Sequence, residues 1–334
     1  MKILIIRLSS LGDVALAALL VRRLRESFPK SQLDFATGAA YRQLLEAIPE
    51  LDGRFVPGKD KFDDYDVVID LQNNLRSRWL TKKVHAGQIC RYHRPRLNRF
   101  LRIHFPSVRN RLKTPDPVAR QYVKTAASLG VLDDGSRGAL VPPVEWIQAA
   151  ARLMKENGLI GKPLLVAPGS RHQTKIWPAE KWFDFIKLAN DKGFHQIGII
   201  GTKDDLELAL RFRESLHRLF PISIFCGSTD LAGLVGLIAS AKLLVCGDSG
   251  PMHIAAAVGT PVAAIFGPTV QEFGFAPFSD RSRVVEVSGL SCRPCHAHGP
   301  AKCPREHFRC MLEISPDNVL KKALELTDLN NGIE

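Results

Sequence analysis

The chain opens on a continuous apolar run, Lys2 to Leu8, broken by one basic residue, the pattern of a parallel strand buried on both faces. Ser9 to Asp13 then reads as a turn. Val14 to Phe28 reads as an apolar-rich helix with Arg22, Arg23, Arg25 and Glu26 on its far side and Pro29 as its stop. Gln32–Ala36 predicts a second strand, Tyr41–Ile48 a helix, Val67–Leu71 a strand and Val118–Leu129 a helix ending at Gly130. Composition shifts to Asp, Gly, Ser and Pro over Asp133 to Pro143, the expected interdomain connection. The alternation then repeats. Strands are predicted at Leu164–Ala167, His195–Ile200, Ile222–Phe225, Leu243–Cys246 and Val262–Phe266. Helices are predicted from Pro178, over Asp204–Leu219, Leu231–Ala239 and Met252–Val258. Strands alternating with helices mean βαβ units, so the expected fold is α/β, two Rossmann-like doubly wound domains facing across a cleft at the strand C-terminal ends.

Composition narrows the class. A hydrophobic share of 45% over 334 residues excludes a disordered chain and implies about two domains. No stretch approaches the ~20 apolar residues of a membrane span. Arg7 and Asp13 interrupt the first apolar run, which is too short for a signal peptide, so a cytoplasmic protein is expected. Seven cysteines, an odd number, argue against a secreted disulfide framework. The net charge of +12 is localised: Leu75 to Pro115 holds twelve basic residues and no acidic one, and elsewhere the charges cancel. Pro95, Pro106 and Pro115 keep that segment from forming one long helix. Such a stretch attracts phosphates of nucleic acid or anionic lipid head groups.

No G-x-G-x-x-G follows a strand, and no P-loop, H-E-x-x-H or G-x-S-x-G occurs. Three strand-to-helix loops carry the candidate chemistry instead. In Ser9-Ser10-Leu11-Gly12-Asp13, Gly12 admits a ligand to the backbone and Asp13 is placed to accept a proton; a plain helix-start aspartate is the alternative. Pro168 to Pro178 gathers Ser170, Arg171, Thr174 and Lys175 before a helix N-terminus, a set suited to a diphosphate or, equally, to a solvated loop. In Gly247 to His253, the N–H groups of Ser249, Gly250 and Met252 suit anionic oxygens, and Asp248 suits a sugar hydroxyl. His253 reads either as a ligand or as a packed histidine. Cys292, Cys295, Cys303 and Cys310 have the count for a tetrahedral Zn²⁺ site but lack a second short spacing; reduced structural cysteines are the alternative. Two anion-ready loops in one half and a base in the other indicate group transfer.

Arg7-Leu8-Ser9-Ser10-Leu11-Gly12-Asp13, Lys175-Ile176-Trp177-Pro178, Asp248 to His253 and Gly267-Pro268-Thr269, in that order, resemble the ADP-heptose:lipopolysaccharide heptosyltransferases of glycosyltransferase family 9. The cysteine segment ending at Met311 is similar to the branch that includes the second core heptosyltransferase. The resemblance spans Lys2 to about Val319. It implies a GT-B fold with an N-terminal acceptor domain (1–145), a C-terminal nucleotide-sugar domain (146–315) and a terminal helix within 316–334 returning toward the first. It implies inverting transfer of heptose from ADP-heptose to the lipopolysaccharide inner core, with no required cofactor or metal. Asp13 would be the general base; Ser170 and Lys175 would hold the diphosphate, Asp248 the heptose, and Ser249, Gly250 and His253 the phosphate site. Asp204 or Asp205 would be the ribose-binding acid.

Ser10 and Gly12 are expected on the acceptor side, with Arg94, Arg96 and Arg99 from the basic stretch. The expected partners are the inner-core glycolipid and the cytoplasmic surface of the inner membrane, with no nucleic acid; the sequence leaves the oligomeric state open. The rival readings are a glycosyltransferase using another nucleotide sugar and a basic nucleic-acid-binding protein.

Overall fold

The computed structural model describes residues 1–217 and 219–327. They form two compact units, one from Met1–Pro95 with Asp116–Pro143, the other from Arg96–Pro115 with the chain from Val144 onward. The break at Pro143 falls where the Asp/Gly/Ser/Pro stretch ends. Among the described residues no helix is long and apolar enough to cross a membrane.

In the first unit, β1 (Lys2–Ile6), β2 (Gln32–Ala36), β3 (Gly53–Phe55), β4 (Tyr65–Asp70) and β5 (Ala86–Arg91) form a parallel sheet of order β3-β2-β1-β4-β5. β1 is the central strand, with Ile3 paired to both Leu33 and Val67. Its residues Ile3 to Ile6 are wholly buried, as the apolar run requires. The helices are α1 (Leu11–Ser27) and α2 (Leu75–Lys83), then, beyond α3 (Arg96–His104) of the other unit, α4 (Val118–Thr125). The helix expected at Tyr41–Ile48 is a 3-10 helix, Ala39–Ala47. The one expected to reach Leu129 ends at Thr125, and a 3-10 turn runs on to Gly130, which adopts φ 84°.

In the second unit the elements in order are α5 (Val144–Glu156), β6 (Leu164–Ala167), α6 (Ala179–Asp191), β7 (Ile197–Ile199), α7 (Leu206–Leu216), β8 (Ile222–Ile224), α8 (Leu231–Ser240), β9 (Leu243–Gly247), α9 (Gly250–Val258), β10 (Val262–Phe266), β11 (Ser282–Glu286), α10 (Arg309–Leu312) and α11 (Pro316–Leu324). The sheet is parallel throughout, order β11-β10-β9-β6-β7-β8. Both units are therefore doubly wound, and the strand order reverses between β1 and β4 and again between β6 and β9. Ligands of such sheets bind beyond the strand C-termini at that reversal. The loops found there are Arg7–Asp13, Pro168–Lys175 and Asp248–Pro251.

Two further placements follow from the packing. The terminal helix α11 packs on α6, β10 and β11, burying Val319, Leu320 and Ala323 in the second unit's core. The remainder of the expected segment, 328–334, lies outside the described residues. The basic stretch is also divided: α3 and the 3-10 turn Pro106–Arg111 belong to the second unit. The physical reason is a set of arginine bonds. Arg99 donates to the carbonyl of Phe273 and Arg109 to those of Ser291 and Arg293.

Candidate functional site

In the first unit, α1 begins directly after β1, so its opening residues stand at the sheet's C-terminal edge. Ser10 is the N-cap and Asp13 the third helical residue. The Asp13 carboxylate accepts four hydrogen bonds. At Oδ1 it meets Arg7 Nη2 at 2.7 Å and the Tyr122 hydroxyl at 3.0 Å. At Oδ2 it accepts from the Ser10 amide at 3.1 Å and from the Ser10 hydroxyl at 2.8 Å. Burial pushes the Asp13 carboxyl up, but the Arg7 charge and hydrogen bond, joined by those of Ser10, outweigh it and hold the group below its ordinary value. Tyr122 is driven well above the ordinary tyrosine value by burial and the Asp13 charge, so it stays a donor. Asp13 is thus both the helix-start aspartate and a half-buried, fixed anion. Gly12 lies buried beside it, and Ser10 is exposed.

Arg7 stands in the motif yet had no assigned role, because one cation within an apolar strand reads as an interruption. It is 3% exposed and also donates to the Leu71 carbonyl at 2.6 Å, tying the ends of β1 and β4 together. Tyr122 comes from α4 and carries no local signal at all.

In the second unit, the loops after β6 and β9 meet through one ion pair. Lys175 Nζ lies 2.6 Å from Asp248 Oδ2, which also accepts from the Thr269 hydroxyl at 2.8 Å. Lys175 and Asp248, assigned separately to diphosphate and sugar, are therefore joined, at side-chain exposures of 10% and 9%. Ser249 is the N-cap of α9, Gly250 its first residue, and Pro251 takes a position where a missing N–H costs nothing. The first amides of this helix lack intrahelical acceptors and are oriented to receive an anion. His253 is buried, with its ring 6.2 Å from that of Phe275. Ser170 is half-buried, and Arg171 beside it is exposed.

The Gly267-Pro268-Thr269 turn that presents Thr269 is held by Arg293. This buried guanidinium donates to the carbonyls of Gly267 and Thr269 and pairs with Glu286 at 2.7 Å. Arg293 escaped sequence reasoning because it sits inside the cysteine cluster, which drew attention to its thiols. Those thiols are free, and among the described residues no three His, Cys, Asp or Glu side chains are grouped to hold a metal ion. Burial pushes Cys310 up to about 11 and raises Cys295. Around Cys295 the loop folds over the site: Thr174 donates to the Pro300 carbonyl at 2.6 Å, and Gly299, at φ 92°, lies against Thr174, His172 and Lys175. Burial and neighbouring cations, Lys175 among them, push His172 and His298 below the ordinary imidazole value, leaving both neutral at pH 7.

Of the ribose-acid candidates, Asp205 is occupied. Its carboxylate accepts from the Thr202 amide at 2.7 Å and hydroxyl at 2.9 Å, whereas Asp204 is exposed. A Cβ on Gly169 would lie 2.0 Å from Asp205 Oδ1. Gly169→Ala is therefore expected to displace Asp205 and the loop carrying Ser170, costing about 1–3 kcal/mol of stability. Paired thermal denaturation and ADP titration, with weaker ADP binding expected alongside, check it.

The arginines expected at the acceptor fall in both units. Arg94 is half-buried in the first unit and Arg96 is exposed. Arg99 is 8% exposed in the second unit, its guanidinium 5.0 Å from the Phe275 ring centre.

The family model of glycosyltransferase family 9 (heptosyltransferase) matches residues 61–303. The chain is 28% identical to lipooligosaccharide heptosyltransferase 2 of Haemophilus ducreyi, over 98% of this chain and 99% of that protein. It is 26% identical to lipopolysaccharide heptosyltransferase 2 of Escherichia coli K12, over 96% and 97%. Among solved structures it resembles a glycosyl transferase family 9 protein from Veillonella parvula, with TM-score 0.79, 23% identity and coverage of 99% and 98%. It also resembles E. coli ADP-heptose lps heptosyltransferase II, with TM-score 0.72, 22% identity and 99% of each chain. The fold is accordingly GT-B. With the family model covering well over half of the chain, this protein belongs to glycosyltransferase family 9, the heptosyltransferases.

Proposed function

We propose that the protein transfers L-glycero-D-manno-heptose, with inversion, from ADP-heptose to the inner core of lipopolysaccharide at the cytoplasmic surface of the inner membrane. The observation that carries the donor assignment is the Lys175–Asp248–Thr269 group beside the N-terminus of α9, at the strand reversal of the second unit. As ADP departs, negative charge grows on its diphosphate. Lys175 and the free amides of Ser249, Gly250 and Met252 meet that charge without reorganising. Asp248, already bonded to Lys175, positions that cation and accepts from a heptose hydroxyl. Asp204, exposed where Asp205 is occupied, is the assigned ribose ligand.

Asp13 acts as the base on the acceptor hydroxyl. All four of its lone-pair sites are filled, and Ser10 is the only exposed donor, so the acceptor hydroxyl takes the place of the Ser10 hydroxyl at Oδ2. Arg7 and Tyr122 keep Oδ1 fixed meanwhile. The experiment that tests the reading is transfer from ADP-heptose to defined truncated cores, followed by mass spectrometry, with competition by UDP- and GDP-sugars. Addition of one heptose, unaffected by those competitors, is the expected result. Turnover of a different nucleotide sugar in preference would replace the donor.

A further inference from the structure

Helix α3 is built inside out. Its buried positions are Arg99 and Arg102, at 8% and 5% exposure, whereas Leu97 and Phe100 are 70% and 51% exposed. Phe105, which follows it, is 47% exposed. A surface helix normally turns its apolar stripe inward and its charges to water. Here the arginines are fastened to the protein. Arg99 donates to the Phe273 carbonyl at 3.3 Å. Arg102 donates to Asn98 Oδ1 at 2.8 Å and the Leu112 carbonyl at 2.9 Å. Arg109, in the 3-10 turn behind, donates to the carbonyls of Arg102 and Ser291. Rolling the helix over to hide its apolar face would break these bonds, so the outward stripe is fixed by the fold.

The stripe is one patch. The Phe100 ring lies 4.5 Å from His104 and 6.2 Å from Phe105, centre to centre. Exposed cations border it: Arg96 adjoins Leu97, and Arg111 and Lys113 are exposed on the returning strand of chain. Asn98 Nδ2 holds that return beside α3 through the Lys113 carbonyl at 3.0 Å. No acidic residue occurs between Asp70 and Asp116. Apolar and aromatic side chains projecting between cations match a bilayer that presents anionic head groups above acyl chains.

We propose that Leu97, Phe100 and Phe105, with Arg96, Arg111 and Lys113 around them, dock this chain onto an anionic lipid bilayer. The proposal deepens the reading above, since it rests on an acceptor carried in a membrane. The test uses the full chain carrying L97S, F100S and F105S together, with F100E alone as a second variant. Each is assayed for sedimentation with phosphatidylglycerol-containing or phosphatidylcholine vesicles. Heptose transfer is read on an acyl-free core oligosaccharide and on the same core as a lipid in vesicles.

The wild type is expected to bind anionic vesicles, more weakly at high salt, and both variants to lose at least ~10-fold of that partitioning. Transfer to the acyl-free acceptor stays unchanged, and transfer to the vesicle-borne one falls ~10-fold with the partitioning. Vesicle binding undiminished in both variants overturns the proposal. So does a concentration-dependent dimer that the variants abolish, which would assign the patch to a second copy. Loss of vesicle binding in a protein that transfers no heptose upholds the docking surface and removes the substrate reading.

Discussion

Asp13→Asn is expected to lower kcat by about 10²–10⁴-fold, the usual contribution of a positioned base, while ADP binding to the second unit changes little. An asparagine amide oxygen still accepts from Arg7 and Tyr122, while its NH2 replaces the oxygen that accepted from the Ser10 amide, so thermal denaturation alongside kcat separates lost packing from lost chemistry. Near-normal turnover of this variant would remove Asp13 from the proton transfer. Arg7→Met probes the same carboxylate from its other side. Breaking a buried ion pair by removing one partner costs about 3–5 kcal/mol, and Asp13 is then left with Tyr122 and Ser10.

The sign of the pH dependence follows from the depressed carboxyl of Asp13. A group whose folded value lies below its unfolded one, about 3.9 for aspartate, adds stability that is complete above the unfolded value. That stability is lost as pH falls through the folded value. In the wild type the acid limb of kcat/KM governed by Asp13 is therefore expected below the ordinary aspartate value. Without Arg7, burial acts with less opposition and the limb moves to higher pH. Profiles of Arg7→Met that keep the wild-type limb would show that Arg7 does not set the basicity of Asp13. Tyr122→Phe, which removes one donor and keeps the ring, should move the limb in the same direction by less.

The elements legible in the sequence are those whose physics is local. Leu164–Ala167 and Val262–Phe266 are strands over the predicted residues, because each is a short apolar run buried on both faces. The edge strands β3, β5 and β11 have no such run: Ala86–Arg91 buries only Cys90. The loops that carry the candidate chemistry are legible too, since glycine, hydroxyl and charge concentrate where strand gives way to helix. What joins those loops is not. Tyr122 reaches Asp13 across 109 residues, and Arg293 holds a turn whose carbonyls lie at Gly267 and Thr269. Helix α3 misleads for a related reason. Its arginines look like a solvated basic face, and only the distant carbonyl at Phe273, which accepts from Arg99, reveals which side is inward.

Lys175→Ala is expected to lower kcat by about 10²–10³-fold and to weaken ADP binding by ~10²-fold, because the cation proposed to meet the departing diphosphate is lost. The ion pair adds a second effect that a lone phosphate-binding lysine would not show. With Lys175 gone, Asp248 is left with only the Thr269 hydroxyl on the same oxygen, and its charge opposes that of ADP bound at the proposed phosphate site. Asp248→Ala placed in the Lys175→Ala background is therefore expected to restore ADP affinity by ~10-fold, while kcat stays low for want of both contacts. Calorimetric titration of ADP across wild type, both single variants and the double variant reads this coupling directly. If the two losses in affinity simply multiply, Lys175 and Asp248 meet the donor independently and their bond is no more than the resting contact of an unliganded site.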